Sequence, residues 1–186
     1  MDEQTINLVN VYPPNTDVER RTFFLILELF IARENETIFG GDFNSIMDNR
    51  LDKLGRDPNS RQAATYFLRP FYERYDLCDI WREQRKDERN YTWTGRMTSN
   101  HLFIPTRTDF FLTSRALNQF ITAVEIKPYA HSDHDCITLE IDFDKVHRGL
   151  AIGILIMICL ATLFSTRKLS SFGQVARKNL KTFLIL

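Results

Sequence analysis

The last 38 residues of this 186-residue chain contain no acid at all. All 24 Asp and Glu fall between Asp2 and Asp144, together with 19 of the 24 Lys and Arg, so the first 148 residues carry a net −5. The other five basic residues, Arg167, Lys168, Arg177, Lys178 and Lys181, give the rest +5. A zero overall charge therefore hides two unlike segments, and we divide the chain at 1–145 and 146–186. Glycine and proline are also scarce, at 7 and 6 residues, which excludes collagen-like and broadly disordered chains. Cysteine is limited to Cys78, Cys136 and Cys159, an odd number without CxxC spacing. This argues against a disulfide framework or a zinc knuckle and for small buried side chains in a reducing compartment. The opening Asp2-Glu3-Gln4 lacks the look of a signal peptide. What is plentiful is phenylalanine, at 15 residues, enough bulk for a real core.

Hydrophobic periodicity predicts an intermixed set of strands and helices. Residues 5–12 alternate and then run apolar, as a buried strand does, and Pro13-Pro14-Asn15 stops them. Val18 to Arg33 repeats at helical spacing, with Phe23, Leu27, Phe30 and Ile31 on one face. Residues 36–44 read as a strand running into a Gly-rich turn, and 60–75 as a helix interrupted by Pro70. Strands are expected at 91–95, 108–113 and 136–143, with 100–105 a loop or short strand and 120–127 a further segment. The order lacks strict βαβ alternation, so an α+β layered fold is expected. Polar clusters follow several strand ends, where a rigid sheet can hold reactive groups.

Taken singly, these clusters say little. Gly40-Gly41-Asp42-Phe43-Asn44 is an ordinary turn composition, Ser132-Asp133-His134-Asp135 an ordinary polar loop, and Tyr12 an ordinary core or edge aromatic. Asp109 is more telling. A carboxylate flanked by Phe110, Phe111 and Leu112 needs a partner, either Arg107 or a histidine. His101, His131 and His147 read as surface residues.

The clusters taken in order point further. Asn10-Val11-Tyr12-Pro13-Pro14-Asn15, Gly40 to Asn44, Tyr91-Thr92-Trp93, Arg107 to Leu112 and Ser132 to Asp135 resemble the endonuclease/exonuclease/phosphatase superfamily. That superfamily includes deoxyribonuclease I and the apurinic/apyrimidinic endonucleases. The stretch Asp76–Arg82 and the continuation Phe111-Leu112-Thr113-Ser114 look most like the endonuclease domain of non-LTR (LINE-type) retrotransposon polyproteins. The resemblance covers about residues 4–145 and implies a layered α/β sandwich. It also implies roles. Asp42 would activate water, with Asn44 holding it. His134, paired with Asp109, would face the scissile phosphate, and Tyr12 and Asn15 would touch that phosphate from the other side. Trp93 and Arg107 would lie at a DNA-facing rim, and Asp133 at a weakly bound Mg²⁺ or Mn²⁺. DNA is the implied partner, with no small-molecule cofactor, and a nuclear location is expected. In-line attack on a phosphodiester needs a base, a clamp on the nonbridging oxygens and a cation, which suits these residue types. Thr108 replaces the usual aliphatic neighbour of the Asp and keeps strand geometry.

Two family features are missing from the sequence: an Asn ending the first strand and a metal-binding Glu after the second. Glu3 lies too near Tyr12 to replace that Glu. The expectation is a truncated, weak or inactive endonuclease domain with an exposed apolar face or open sheet edge. The alternative is a non-catalytic remnant that binds nucleic acid or is tethered to a membrane. Gly149 to Phe164 is an uncharged run of 16 residues bracketed by His147-Arg148 and Arg167-Lys168. It reads as an apolar C-terminal helix within 149–165: a short membrane anchor, a cover for the fold, or sequence with no selected role.

Overall fold

The computed structural model describes residues 6–28, 35–55, 63–94, 104–142, 153–158 and 180–184. Its central sheet has the order β3-β4-β2-β1-β8, and a second sheet the order β5-β6-β7. Strands β1 (Ile6–Val11) and β2 (Glu36–Asp42) are parallel, joined through helix α1 (Asp17–Leu27). Strand β4 (Asp109–Ser114) runs antiparallel to β2, and β3 (Leu77–Asp79) antiparallel to β4. Helix α2 (Ala63–Arg74) precedes β3, and the short helix α3 (Ile80–Gln84) follows it. A 3-10 turn, Arg115–Phe120, leads to β5 (Ile121–Lys127), which pairs antiparallel with β6 (Cys136–Asp142).

Every residue of β4 is buried, because both faces of the sheet are covered. Side chains alternate along a strand, so neighbours enter different cores. Phe110 and Leu112 join Phe39, Phe24, Leu68 and Phe71 under α1 and α2. Phe111 and Ile38 join Trp81, Leu117, Val124, Ile137 and Leu139 toward the second sheet. The same parity turns Asp42 and Asp109 toward the second sheet, since each stands an even number of residues from Ile38 or Phe111 on its strand. Phe43 stacks on Phe110 with ring centroids 4.2 Å apart and seals the first core beneath the turn.

Several expectations change. Pro70 lies within α2 rather than ending it. The proline is exposed, so the carbonyl it leaves without a helical donor sits on the solvent side. The stretch 91–95 contributes only isolated bridges, Trp93 to Thr106 and Trp93 to His134, instead of a strand. The apolar C-terminal helix gives way at 153–158 to a strand, β7 (Gly153–Ile158), antiparallel to β6. Strand β8 (Leu180–Leu184) lies parallel to β1. An open edge with unpaired backbone groups accepts an apolar, β-branched segment in extended form, and Ile-Leu-Ile-Met-Ile suits that better than a lone helix. Among the described residues no helix is long and apolar enough to cross a membrane. Cys78 is a buried free thiol, but Cys136 is disulfide-bonded, against the expectation from cysteine count. Its partner falls outside the described residues, as do His101, His147 and Arg33.

Gly41 allows β1 and β2 to meet where the site begins. It faces Val11 across the ladder at φ 144°, and a Cβ there would lie 2.1 Å from the Val11 carbonyl oxygen. Gly41→Ala is expected to lower unfolding stability in urea by about 2–4 kcal/mol. Gly55→Ala, at φ 73° with open space around it, should lose only about 1 kcal/mol. Equal losses for the two would remove the close-approach argument.

Candidate active site

The antiparallel register places Asp42 directly opposite Asp109. Two like charges in such a cross-strand pair repel, so each carboxylate needs its own compensation. Asp109 is almost fully buried, and its Oδ2 accepts from Thr92 Oγ1 at 2.7 Å and Thr108 Oγ1 at 3.2 Å. The same oxygen meets His134 Nδ1 at 2.9 Å. Thr92, 1% exposed, also accepts the backbone N–H groups of Asp109 and Thr108 at 3.0 and 3.1 Å. One hydroxyl thus holds both the carboxylate and the backbone that carries it.

The loop bearing His134 is fastened to the same place. Asp135 N–H donates to Thr92 O at 2.7 Å, Thr94 N–H to Asp133 O at 3.1 Å, and His134 N–H to Ser132 Oγ at 3.0 Å. Burial alone would lower the His134 pKa. The hydrogen bond and charge of Asp109, with Asp42 and Asp133 beyond it, outweigh that and raise it. Trp93 lies beside the imidazole, centroids 6.3 Å apart, and its Nε1 donates to Asp133 Oδ2 at 3.3 Å.

Across the pair, Asp42 Oδ1 accepts the Asn44 N–H at 2.8 Å. Asn44 sits at φ 47°, a left-handed conformation its short amide tolerates, and its Nδ2 donates to Pro13 O at 2.7 Å. The buried Arg20 donates to the Asn44 carbonyl oxygen and is itself held by Asp17. Helix α1 therefore fixes the turn from one side, and the strand-end loop with Tyr12 from the other. Burial and then the nearby Asp109 push the Asp42 pKa up to about 6, despite the Asn44 N–H and His134. Burial, followed by the charges of Asp42, Asp109 and Asp133, raises the Tyr12 phenol as well, which puts Tyr12 in the field of all three acids.

The structure thus gathers Tyr12, Asp42, Asn44, Asp109, His134, Trp93 and Asp133 at one end of the central sheet. Asn15 stands exposed in the adjoining loop. Arg107 is a correction: it is neither at a rim nor paired with Asp109. It is 0% exposed, with Nε donating to Asp52 Oδ1 at 2.9 Å and Nη2 to Asp79 Oδ2 at 2.5 Å. Its guanidinium stacks 5.3 Å over Trp81, and Arg82 also grips Asp52, at 2.6 Å. Those partners explain its burial, since Asp52, Asp79 and Trp81, with the Phe110 ring 5.2 Å from the guanidinium, enclose it. Burial lowers the Arg107 pKa; Asp79 and Asp52 more than reverse this, so it stays charged. The sequence reading missed Thr92 and Arg20. Arg20 left one signal, since it shares the apolar stripe of α1 with Phe24 and Leu27.

Asp42 and Asp133 are the described carboxylates near His134 that could help hold a divalent cation, and Mg²⁺ needs only one or two carboxylates beside water and phosphate. Asp109 Oδ2 is already shared by three groups, and among the described residues no three His, Cys, Asp or Glu side chains group closely enough to hold an ion.

The fold is that of the endonuclease/exonuclease/phosphatase proteins. The chain is similar over 69% of its length to an AP endonuclease from Archaeoglobus fulgidus (TM-score 0.54, 17% identity, 59% of that chain). It is similar over 72% to a 3′ phosphatase from Neisseria bound to a product DNA hairpin (TM-score 0.57, 19% identity, 60% of that chain). A 3′-5′ exonuclease from Neisseria meningitidis aligns over the same share (TM-score 0.56, 19% identity, 60% of that chain). No protein-family model matches. Within that fold class the chain is related to a transposon protein: it is 30% identical over 140 residues, 73% of its length, to the transposon TX1 uncharacterized 149 kDa protein of Xenopus laevis. It spans about 10% of that relative and about 60% of the solved structures.

The charge on Asp42 burdens the fold. Its folded-state pKa of about 6 exceeds the ordinary 3.8, so the folded chain holds the proton more tightly. The contribution to stability is full below pH 3.8 and is lost as pH rises through 6. Asp42→Asn should therefore be more stable than the parent at pH 8, by on the order of 1–3 kcal/mol in urea unfolding, with the gap closing near pH 4. A variant less stable at pH 8 would contradict this.

Proposed function

We propose that this domain hydrolyses a phosphodiester of DNA, as a nuclease domain derived from a non-LTR retrotransposon. The observation that carries the reading is the Asp42–Asp109 pair, whose two members have opposite tasks. Asp109 is spent on holding His134 in one tautomer, with Nε2 left to face a substrate. Asp42, with a pKa raised to about 6, is ionised at neutral pH yet basic enough to take a proton from an attacking water. The imidazolium of His134 would stabilise negative charge on the phosphorane oxygens and supply a proton to the departing oxygen. The Asn44 side chain is tied to Pro13 O, so its part is to set the turn that aims Asp42. Tyr12, beside the acids, and exposed Asn15 would contact the phosphate from the opposite side. Trp93 and Asp133 would line the approach. The relatives' DNA hairpin and transposon origin support DNA as the substrate, which implies action in the nucleus.

We further infer that catalysis by this chain is weak. No described cluster supplies a built site for Mg²⁺ or Mn²⁺, and a net −5 over the first 148 residues gives little attraction for phosphate. The first of these facts favours the runner-up, a non-catalytic nucleic-acid-binding or membrane-tethered remnant, while the net −5 argues against strong nucleic-acid binding by it.

Supercoiled plasmid with the full chain and millimolar Mg²⁺ separates these. Slow nicking is expected, lost in Asp42→Ala and in His134→Ala. Fast nicking lost in both variants would keep the nuclease and overturn its weakness. No nicking above a protein-free blank, even at enzyme excess, would leave only the remnant.

A further inference from the structure

We propose that a cavity between α2 and the turn after Asn44 is a subsite for one nucleotide of a single-stranded DNA segment next to the reacting phosphodiester. The cavity measures about 550 Å³ and is lined by Met47, Asp48 and Arg50 from the turn and by Tyr66, Arg69 and Glu73 from α2. This inference rests on the hydrolytic reading for the identity of its ligand, but not for the existence of the binding surface.

Three observations converge. The first is Tyr66, an aromatic left 79% exposed at the mouth of the cavity. Most of the described aromatics lie in or against the two cores, and a bare ring face beside cations is what a base stacks on. The second is charge. Arg20, Arg74, Arg82, Arg85, Arg107 and Arg115 each hold a carboxylate, whereas Arg50 and Arg69 have no ion pair among the described residues. Asp48 lines the same cavity, and its Oδ1 accepts the N–H groups of Arg50 and Leu51, at 2.7 and 3.0 Å. Glu73 stands four residues after Arg69, a spacing at which helical side chains are neighbours, and lines the same cavity.

The third observation is position. Strand β3 follows α2 and starts opposite Ser114, the end of β4 remote from Asp109. Arg74, at the end of α2, pairs with Glu28 just past α1, at 2.6 Å. The C-terminal end of α2 is therefore away from the site, and Tyr66 and Arg69 lie nearer the site than Arg74 does. Met47 is three residues past Asn44, at most about 11 Å of chain. The guanidiniums would take a phosphate and Tyr66 would stack on the base.

Binding of a fluorescein-labelled oligothymidylate of about 12 nucleotides to the full chain in EDTA, followed by anisotropy over a salt series, tests this. Tyr66→Ala should weaken binding about tenfold, and Tyr66→Phe should leave it unchanged. Arg50→Ala with Arg69→Ala should weaken it and reduce the salt slope by about 1.4. Arg21→Ala, an exposed arginine on α1 away from the cavity, should have little effect. All variants should keep the parent's urea midpoint, since each side chain lies at the surface. Parent-like binding by Tyr66→Ala and the double variant would overturn the proposal, as would an equal loss in Arg21→Ala or no binding at all. Parent-like binding together with nicking that needs His134 would sink the subsite and leave the nuclease. Binding that needs Tyr66 with no His134-dependent nicking would do the reverse.

Discussion

The site is organised around one constraint: β2 and β4 place Asp42 and Asp109 face to face. A pair of ionised acids at that spacing would push the central strands apart. The structure resolves the conflict unequally. Asp109 receives two hydroxyls and an imidazole, while Asp42 receives one backbone N–H, a share of the Thr108 hydroxyl and a raised pKa. Because the compensation is unequal, the two carboxylates end with different chemistry. One is a fixed anion that orients a histidine, and the other is a base close to neutrality. A symmetric solution would have left two ordinary acids and nothing poised to move a proton.

That arrangement must be held rigidly, and the support comes from charge buried just outside the reacting groups. Arg107, two residues before Asp109, joins the turn carrying Asp52 to the start of α3 at Asp79. Asp52 in turn takes the N–H groups of Met47 and Asp48 at 3.2 and 2.9 Å. The turn after β2, the lead into β4 and the cap of α3 are therefore one ion-paired unit. A buried pair of this kind adds little net stability compared with apolar packing, but losing one partner leaves an expensive uncompensated charge. Its value here is geometric, because it fixes where β4 enters the sheet. Arg20 does the corresponding work from α1 by holding the carbonyl of Asn44.

Much of this was legible from residue order, and the failures share a cause. Alternation and turn chemistry located β1, β2, β4 and β6 within a few residues, and an acid inside Phe-Phe-Leu announced that Asp109 had a partner. Residue types alone left that partner open between Arg107 and a histidine; the resemblance pointed to His134, and the sheet brings it there. Arg107 was misplaced because its function depends on Asp52 and Asp79, 55 and 28 residues away. Thr92 was overlooked because a threonine between two aromatics looks like a strand filler; its two-way hydrogen bonding exists only once β4 is beside it. The run at 153–158 misled because an uncharged apolar segment has no period that separates helix from strand, and the choice was made by the unpaired edge of β6.

The two tail strands bear on how far fold and function are coupled. Strand β8 occupies the outer side of β1, and β7 the outer side of β6. The sheet edges need hydrogen-bonding partners of almost any apolar sequence, and backbone pairing makes few demands on side-chain identity. The reacting groups demand particular atoms at particular places. A domain of this architecture can therefore keep its layered core under sequence changes that its Asp109–His134 pair and its tuned Asp42 would not survive. Folding is the more tolerant of the two requirements, so the layered architecture can outlast catalysis, and the nuclease geometry by itself is a record of ancestry before it is a measure of rate.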